Sequence, residues 1–395
     1  MRIFYAADSS PNANFDIQSE VWRNNLYLPL IDAGHDVVEF DYDLTETIQK
    51  VDKSRNASFI AKNRPKVTKE LLRQIKKAHE DQPIDLFFSY FYDACVLSEG
   101  IETIRAMGIT TVNWYCNGSY QLHLVEEISP HYDWCLVPEK FRLKDYEAIS
   151  ARPIYCQEAA NPKIYKPHNL PKDFEVTFVG RASRERPEYI RCLLDQGVDV
   201  RVWGYGWDML SQKYQSQTTN PARRLGRTAK KFLSETGWVD AFRRLLNLEL
   251  LISARKTVSE TPIITLPNEI IGGVLSDVEM VKMYSRSKIN LGFSSCDTGE
   301  TEERIVQIRL RDFEVPMSGG FYLVEYMEEL EEFFEIGKEI ICYTDPADLV
   351  EQVKYYLKHD SERERIRRAG YQRCLRDHTW LKRFAMAFRQ MGMLQ

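Results

Sequence analysis

The sequence predicts an α/β protein built from two parallel-sheet domains in tandem, and three observations carry that expectation. At 395 residues the chain is longer than one hydrophobic core usually serves. Short apolar runs alternate with helical patterns along most of it, as in a parallel sheet covered on both faces. The alternation breaks at a proline-rich stretch and then restarts, as at an interdomain linker.

The elements follow in order. "MRIFYAA" reads as a strand, the amphipathic stretch around Ile17–Ile31 as a helix, and "HDVVEFDY" as a strand after the helix-ending Gly34. "IDLFFSY", "ITTVNWY", "YDWCLVP" and "RPIYC" are further short apolar runs. After Cys156 comes "QEAANPKIYKPHNLPKD", with three prolines and no periodicity. The pattern then resumes with "FEVTFVG" as strand, "RPEYIRCLLDQG" as a helix ending at glycine, and "VDVRVWG" as strand. "SDVEMVKMYSRS" opens on a Ser276–Glu279 capping box, and "KINLGF", "GFYLVEY" and "KEIICY" are the later strands. Asp345-Pro346 starts a helix whose Leu349, Val353 and Leu357 share one face, and from Ser361 onward the chain is helical.

Composition bounds the function. With 44% hydrophobic and 28% charged residues a sizeable core is expected, and a net charge of -5 offers no global attraction for nucleic acid. No apolar segment is long enough to span a bilayer. "MRIFYAADSS" turns polar too soon for a signal peptide. The eight cysteines stand singly, without CxxC pairs or Cys/His clusters, as buried reduced thiols of a cytoplasmic protein would. Residues 208–262 interrupt the rhythm with "RRLGRTAKKF" and "FRRLLNLELLISARK". That segment is either a helix covering the domain or a basic amphipathic helix lying on an anionic membrane.

Ligands of open parallel sheets bind beyond the carboxyl ends of the strands. In the first half those loops hold Asp8 to Asn14, Tyr92-Asp93 and Asn113 to Ser119. In the second half they are "GRASRERP", "GYGW", "LPNEIIGG", "SSCDTGETEER" and "RLRDFEVPMSGG". In "VGRASRERP" a strand ends at Gly180 and a helix starts near Pro187. Arg181 and Arg186 flank the turn, as a diphosphate site or as two solvated arginines. A GxGxxG fingerprint is absent, which disfavours a dinucleotide oxidoreductase. Tyr205 and Trp207 of "GYGW" stack on a base or pack in the core. Asp93 suits a base acting on an acceptor hydroxyl, or a helix cap. Asp41-Tyr42-Asp43 follows the second strand and reads as a solvated turn rather than a metal site. In "RLRDFEVPMSGGFYLVEY", two arginines and two acids precede a Ser-Gly-Gly turn where the missing Cβ would let a ligand near the backbone.

Lys288 to Arg383 resembles the nucleotide-sugar domain of GT-B glycosyltransferases, specifically the group related to the spore-maturation protein CgeB. The resemblance lies in "INLGF", "RLRDFEVPMSGGFYLVEY", "EEFFEIGKEIICYTDPADLVEQVKYYL", "IRRAG" and "HTWLKRF". "TVNWYCNGSY", "YDWCLVPEK" and "EAANPKIYKP" resemble the N-terminal halves of such proteins, so most of the chain is covered.

The resemblance implies a GT-B fold: two Rossmann-like domains with parallel sheets facing across a cleft. Residues 1–165 would form the acceptor-side domain, with 379–395 packed back onto it, and 172–378 the donor domain with the insertion at about 208–262. It implies transfer of a sugar from a nucleotide diphosphate-sugar to an acceptor hydroxyl on a glycan, lipid-linked glycan, protein or small molecule. No metal or other cofactor is implied, nor any nucleic acid; the expected location is cytoplasmic, and the basic insertion is the candidate for a peripheral membrane contact if it is not a covering helix. Glu314 takes the place of the glutamate that binds the donor ribose, with Ser318, Gly319 and Gly320 as its turn. Gly180, Tyr205, Asn268, Gly273, Arg309 and Arg311 complete the donor side. Arg181 and Arg186 fall on the phosphate-binding Arg and Lys, and Asp93 joins them as the catalytic candidate. The position eight residues before Glu314, a second glutamate in many retaining members, is Val306. His378 matches a family signature, where capping or interdomain packing accounts for it. A non-catalytic nucleotide- or glycan-binding module is the alternative from another class.

Overall fold

The computed structural model describes residues 1–7, 20–211, 264–296 and 304–394. Strands form at all the apolar runs quoted above. β1 (Arg2–Ala6), β2 (Asp36–Glu39), β3 (Leu86–Ser89), β4 (Thr110–Trp114), β5 (Trp134–Val137) and β6 (Pro153–Tyr155) make a six-stranded sheet in the order β2-β1-β3-β4-β5-β6. Its neighbouring strands all pair in parallel. β7 (Phe174–Val179), β8 (Val200–Trp203), β9 (Ser287–Gly292), β10 (Tyr322–Glu325) and β11 (Ile341–Tyr343) make a five-stranded sheet in the order β11-β10-β9-β7-β8. In both sheets the order reverses next to the first strand, which creates a topological switch point at the carboxyl edge.

The chain forms two compact units, Met1–Thr177 with Leu275–Gln395, and Phe178–Val274. In the larger unit, β1 and β3 carry Ile3, Phe4, Tyr5, Leu86, Phe87 and Phe88, all buried, as strands covered on both faces require. The long helix Lys53–Asp81 covers one face with Val67, Leu71, Ile75 and Ala78. Asp52 caps it by accepting from the Ser54 amide at 2.8 Å. The C-terminal helix Trp380–Gln390 joins the same core. Trp380 meets Trp114 edge to face at 5.2 Å, and Phe384 meets Phe88 at 5.7 Å. Each such fully buried aromatic contributes about 1.5–3 kcal/mol.

Local signals produced local structure. Ser276 Oγ accepts from the Glu279 amide at 3.3 Å, and Asp345 Oδ1 accepts from Ala347 and Asp348 at 2.8 and 2.9 Å. On the helix that follows, Leu349, Val353 and Tyr356 are buried and Leu357 is half-buried. Asp43 Oδ1 accepts from the Thr45 amide at 2.9 Å, so the Asp41-Tyr42-Asp43 triplet is a turn into a short helix. Where a helix was expected around Ile17–Ile31, the described part begins as a π-helical turn, Arg23–Tyr27, and continues as Leu28–Asp32. The basic leucine-rich stretch and nearly all of the 208–262 insertion lie outside the described residues, as do Asp8 to Asn14 and most of "SSCDTGETEER". Among the described residues no helix is long and apolar enough to cross a membrane. The eight cysteines are all free thiols.

In the smaller unit, Gly204 sits at φ +131, and a Cβ there would lie 2.3 Å from the Gly180 carbonyl oxygen. Only glycine permits that approach. It lets the Gly180 amide donate to the Trp203 carbonyl at 2.8 Å. The Trp207 indole donates to the Gly180 carbonyl at 2.7 Å.

Candidate functional site

The helix Leu310–Met317 leaves the carboxyl side of the β9 loop and carries the expected donor residues. Its start is pinned twice. The Arg309 amide donates to Asp312 Oδ2 at 2.8 Å, and Arg309 Nη2 donates to the Ser295 carbonyl at 2.5 Å. Asp312 also accepts from the Tyr322 hydroxyl at 2.6 Å, and burial pushes its carboxyl up to about 6. One turn on, Glu314 is 4% exposed. Burial pushes it up to about 7, Asp277 adds to the rise, and Tyr165, Arg311 and Asn25 draw it back. For the half-buried Arg311, Tyr284, Tyr322 and Glu314 outweigh desolvation and hold its guanidinium above the usual value.

The Ser-Gly-Gly turn ends this helix and is filled by protein. The amides of Ser318, Gly319 and Gly320 donate to the carbonyls of Glu314, Pro316 and Val315, each at 2.9 Å. Gly319 sits at φ +68, and a Cβ there would touch Pro167 at 3.0 Å. A Cβ on Gly320 would stand 2.7 Å from Asn290 Nδ2. Arg367 Nη1 donates to the Gly319 carbonyl at 3.1 Å, and Ser285 Oγ to that of Ser318 at 3.0 Å. The missing Cβ atoms make room for the linker and for β9.

The remaining residues expected on the donor side belong to the smaller unit, where hydrogen bonds join three loops. The Ala182 amide donates to the Tyr205 carbonyl at 2.9 Å and the Gly204 amide to the Gly273 carbonyl at 2.7 Å. Arg181 is exposed. Arg186, 7% exposed, starts the helix Arg186–Asp195, donates from Nη1 to the Arg181 carbonyl at 3.1 Å and lies 5.6 Å over the Phe178 ring. Arg186 thus shapes the loop that presents Arg181. Tyr205 is 52% exposed whereas Trp207 is fully buried, so the two aromatics of "GYGW" divide between surface and core. Asn268 is exposed at the start of a short 3-10 turn, Asn268–Ile270.

Asp93 follows β3 and is 1% exposed. Lys53 Nζ donates to it at 2.9 Å, and the Ile128 and Glu127 amides donate at 3.1 and 3.3 Å. Burial raises its pKa against the pull of Lys53 and these amides. His378 is buried among Phe313, Phe333 and Phe334. Its Nε2 lies 2.7 Å from the Phe333 carbonyl, and burial lowers it to about 4, so it stays neutral in a packing role.

Two buried acids were not singled out from the sequence. Glu139 follows β5 and is buried. Burial pushes it up to about 7, against the amides of Ser119 and Gly118 and the charge of Arg142. Its Oε1 accepts from the Ser119 amide at 3.4 Å, while its Oε2 is buried without a hydrogen-bond partner. Glu158 opens the linker after β6. Burial holds it well above the usual range and Arg309 opposes, while Glu139, Glu314 and Asp312 add to the rise. The signal that would have found Glu139 was its place, since it follows a strand at the carboxyl edge where ligands bind. Among the described residues no group of three or more His, Cys, Asp or Glu side chains is arranged to hold a metal ion.

A glycosyl transferase-like family matches residues 237–389, a span that contains the Leu310–Met317 helix. No curated protein matches the chain. Among solved structures, the sucrose-phosphate synthase (tll1590) of Thermosynechococcus elongatus is similar at TM-score 0.59 and 11% identity, over 99% of both chains. Alr3699/HepE of Anabaena, solved with UDP and glucose, is similar at 0.54 and 11%, over 100% of both chains. A glycosyltransferase of Rickettsia africae ESF-5 is similar at 0.54 and 10%, over 99% of this chain and 98% of the other. At these identities the likeness is one of fold. The chain has the GT-B fold, and its residues 237–389 match a glycosyl transferase-like family.

Proposed function

We propose that this protein is a glycosyltransferase of the CgeB-related type that moves a sugar from a nucleotide diphosphate-sugar to an acceptor hydroxyl. The observation that carries the reading is Glu314: a carboxyl held at 4% exposure on the helix after β9, inside the segment that matches the glycosyl transferase-like family. The similar Anabaena protein was solved with UDP and with UDP-glucose, which supports a uridine nucleotide as the first donor to try.

In this reading Glu314 accepts hydrogen bonds from the ribose hydroxyls, its side chain steadied by Tyr165, Asn25 and Arg311. Arg181 meets the diphosphate, and Arg186 orders the loop from which it reaches. Guanidinium groups grip phosphate oxygens in pairs and stabilise the charge that grows as the sugar–phosphate bond breaks. Positioning and that charge stabilisation then supply the catalysis without a metal. The chemistry takes place on the cytoplasmic side, and the acceptor is a glycan, lipid, protein or small molecule.

Turnover of UDP-sugars, read as UDP release, tests the reading, and activity should persist in excess chelator. One observation favours the non-catalytic alternative. Val306, where many retaining members carry a glutamate, is an apolar half-buried residue bridging to Ser295. UDP binding without UDP release from any donor would select that alternative. No UDP binding at all would remove both.

A further inference from the structure

The amino edge of the six-stranded sheet carries an open cavity of about 330 Å³, lined by Arg105, Asp133, Trp134, Arg152 and Met391 among others. Arg105 lies in the last turn of the helix Ser98–Ala106, ahead of β4. Trp134 is the first residue of β5, and Arg152 directly precedes β6. β4, β5 and β6 are five, four and three residues long. At about 3.3 Å per residue, roughly 10–15 Å of sheet separates the cavity from the loops beyond their carboxyl ends. The cavity therefore belongs to a different part of the fold from the loops where ligands of such sheets bind.

The lining is charged in one sense. Asp133 Oδ1 accepts from Arg105 Nε at 2.9 Å, while Oδ2 accepts from the amide and hydroxyl of Thr111 at 2.9 and 3.0 Å. Both oxygens of that carboxylate are engaged by the protein, and no other acid lines the cavity. The guanidinium of the exposed Arg152 stands 4.0 Å over the face of Trp134. Attraction to the ring holds it there, so less side-chain freedom is lost when a ligand engages its N–H groups.

Two guanidinium groups beside one engaged carboxylate would repel a cation, and a neutral ligand would gain little from them. An oxyanion is the complementary charge. A carboxylate matches a single arginine fork, whereas the outer oxygens of a phosphate group reach in several directions and serve two forks from separate segments. We propose that Arg105, Arg152 and Trp134 form a binding site for the phosphate group of a small molecule. The site lies away from Glu314 and Arg181 and does not depend on the glycosyltransferase reading. Met391, which follows the C-terminal helix, also lines it, so occupancy joins that helix to the sheet and should raise the melting temperature.

Calorimetric titration of the full chain with inorganic phosphate and with glycerol phosphate, against chloride at equal ionic strength, tests the site. The parent should bind both saturably. Arg152→Ala changes an exposed residue, so the melting temperature without ligand should be nearly unchanged. It should weaken phosphate about tenfold or more, and Arg152→Lys, which keeps the charge and loses the fork, should restore only part of that. Arg181→Ala should keep phosphate affinity within about twofold, since that residue belongs to the smaller unit. No saturable binding, or equal affinity in the parent and Arg152→Ala, would overturn the site. Binding lost in Arg181→Ala and kept in Arg152→Ala would place the phosphate in the smaller unit and also overturn it. Vesicles containing phosphatidate carry the same group in a bilayer. Sedimentation of the parent with them, lost in Arg152→Ala, would make the phosphate that of a lipid headgroup. A parent left in the supernatant while it binds glycerol phosphate would make it that of a soluble molecule.

Discussion

The indole of Trp380 donates a hydrogen bond to Oδ1 of Asn25 at 2.9 Å, joining the last helix of the chain to its first described helical turn. The amide nitrogen of the same asparagine donates to the Tyr165 hydroxyl at 3.3 Å, and both Asn25 and Tyr165 draw the Glu314 carboxyl toward ionisation. Segments from the start, linker and end of the chain thus converge on Glu314.

Asn25→Ala should therefore do two things. It strands the buried Trp380 N–H, at about 1–3 kcal/mol of stability, and it removes one support of Glu314. Urea unfolding measures the first effect and UDP titration the second. Lost stability with unchanged UDP affinity at matched folding would detach Glu314 from this network.

Glu314→Gln should separate binding from stability. Lost hydrogen bonds from a charged acceptor should weaken UDP binding by about 1–3 kcal/mol. The empty protein should respond the other way. The folded-state pKa of about 7 lies above the ordinary 4.5, so folding takes up protons between those values. The associated stability is present below pH 4.5, falls as pH rises, and is lost above pH 7, by on the order of 3 kcal/mol at most. Glu314→Gln should flatten that slope and raise stability at pH 8. Chemical denaturation at pH 5, 6.5 and 8 gives the slope, and a variant as steep as the parent would refute the buried acid.

Arg181 and Arg186 should part company. Arg186→Ala removes a buried guanidinium that bonds the Arg181 carbonyl, so a stability loss of about 1–3 kcal/mol is expected, with reduced turnover following from the disordered loop. Arg181→Ala, on the exposed residue, should leave the melting temperature nearly unchanged and lower kcat more than it weakens UDP binding. Thermal melts beside steady-state kinetics distinguish the two, and an Arg181→Ala enzyme with parental kcat would take the diphosphate away from it.

Asp93→Asn addresses the acid nominated as a base. The side chain is already paired with Lys53 and two backbone amides, so the expected loss is stability, about 1–3 kcal/mol, with turnover per folded molecule changed less than about threefold. A hundredfold fall in kcat at an unaltered melting temperature would restore the catalytic role.

Much of the architecture was legible because it is written locally. Apolar runs such as "IDLFFSY" and "KINLGF" became strands because a parallel sheet hides both faces and demands that composition. Ser276 and Asp345 cap helices through their own neighbours' amides, an interaction spanning only two or three residues. The Ser-Gly-Gly turn was equally visible. What stands against it was not, because Pro167, Asn290 and Arg367 reach it from three separate segments.

Glu158 marks the same boundary more sharply. Its neighbours in sequence, Gln-Glu-Ala-Ala-Asn, describe an ordinary polar linker. Its backbone is held by Arg383 and His378 from a distant part of the chain, and burial raises its pKa, with Glu139 adding to the rise and Arg309 opposing it. By itself the sequence determined the strands and the helix caps, since each depends on side-chain patterns a few residues long. Which carboxyls lose their water, and which are left without a partner, was decided only by tertiary structure. Desolvation is set by everything packed around a group, and chain neighbours are a small part of that.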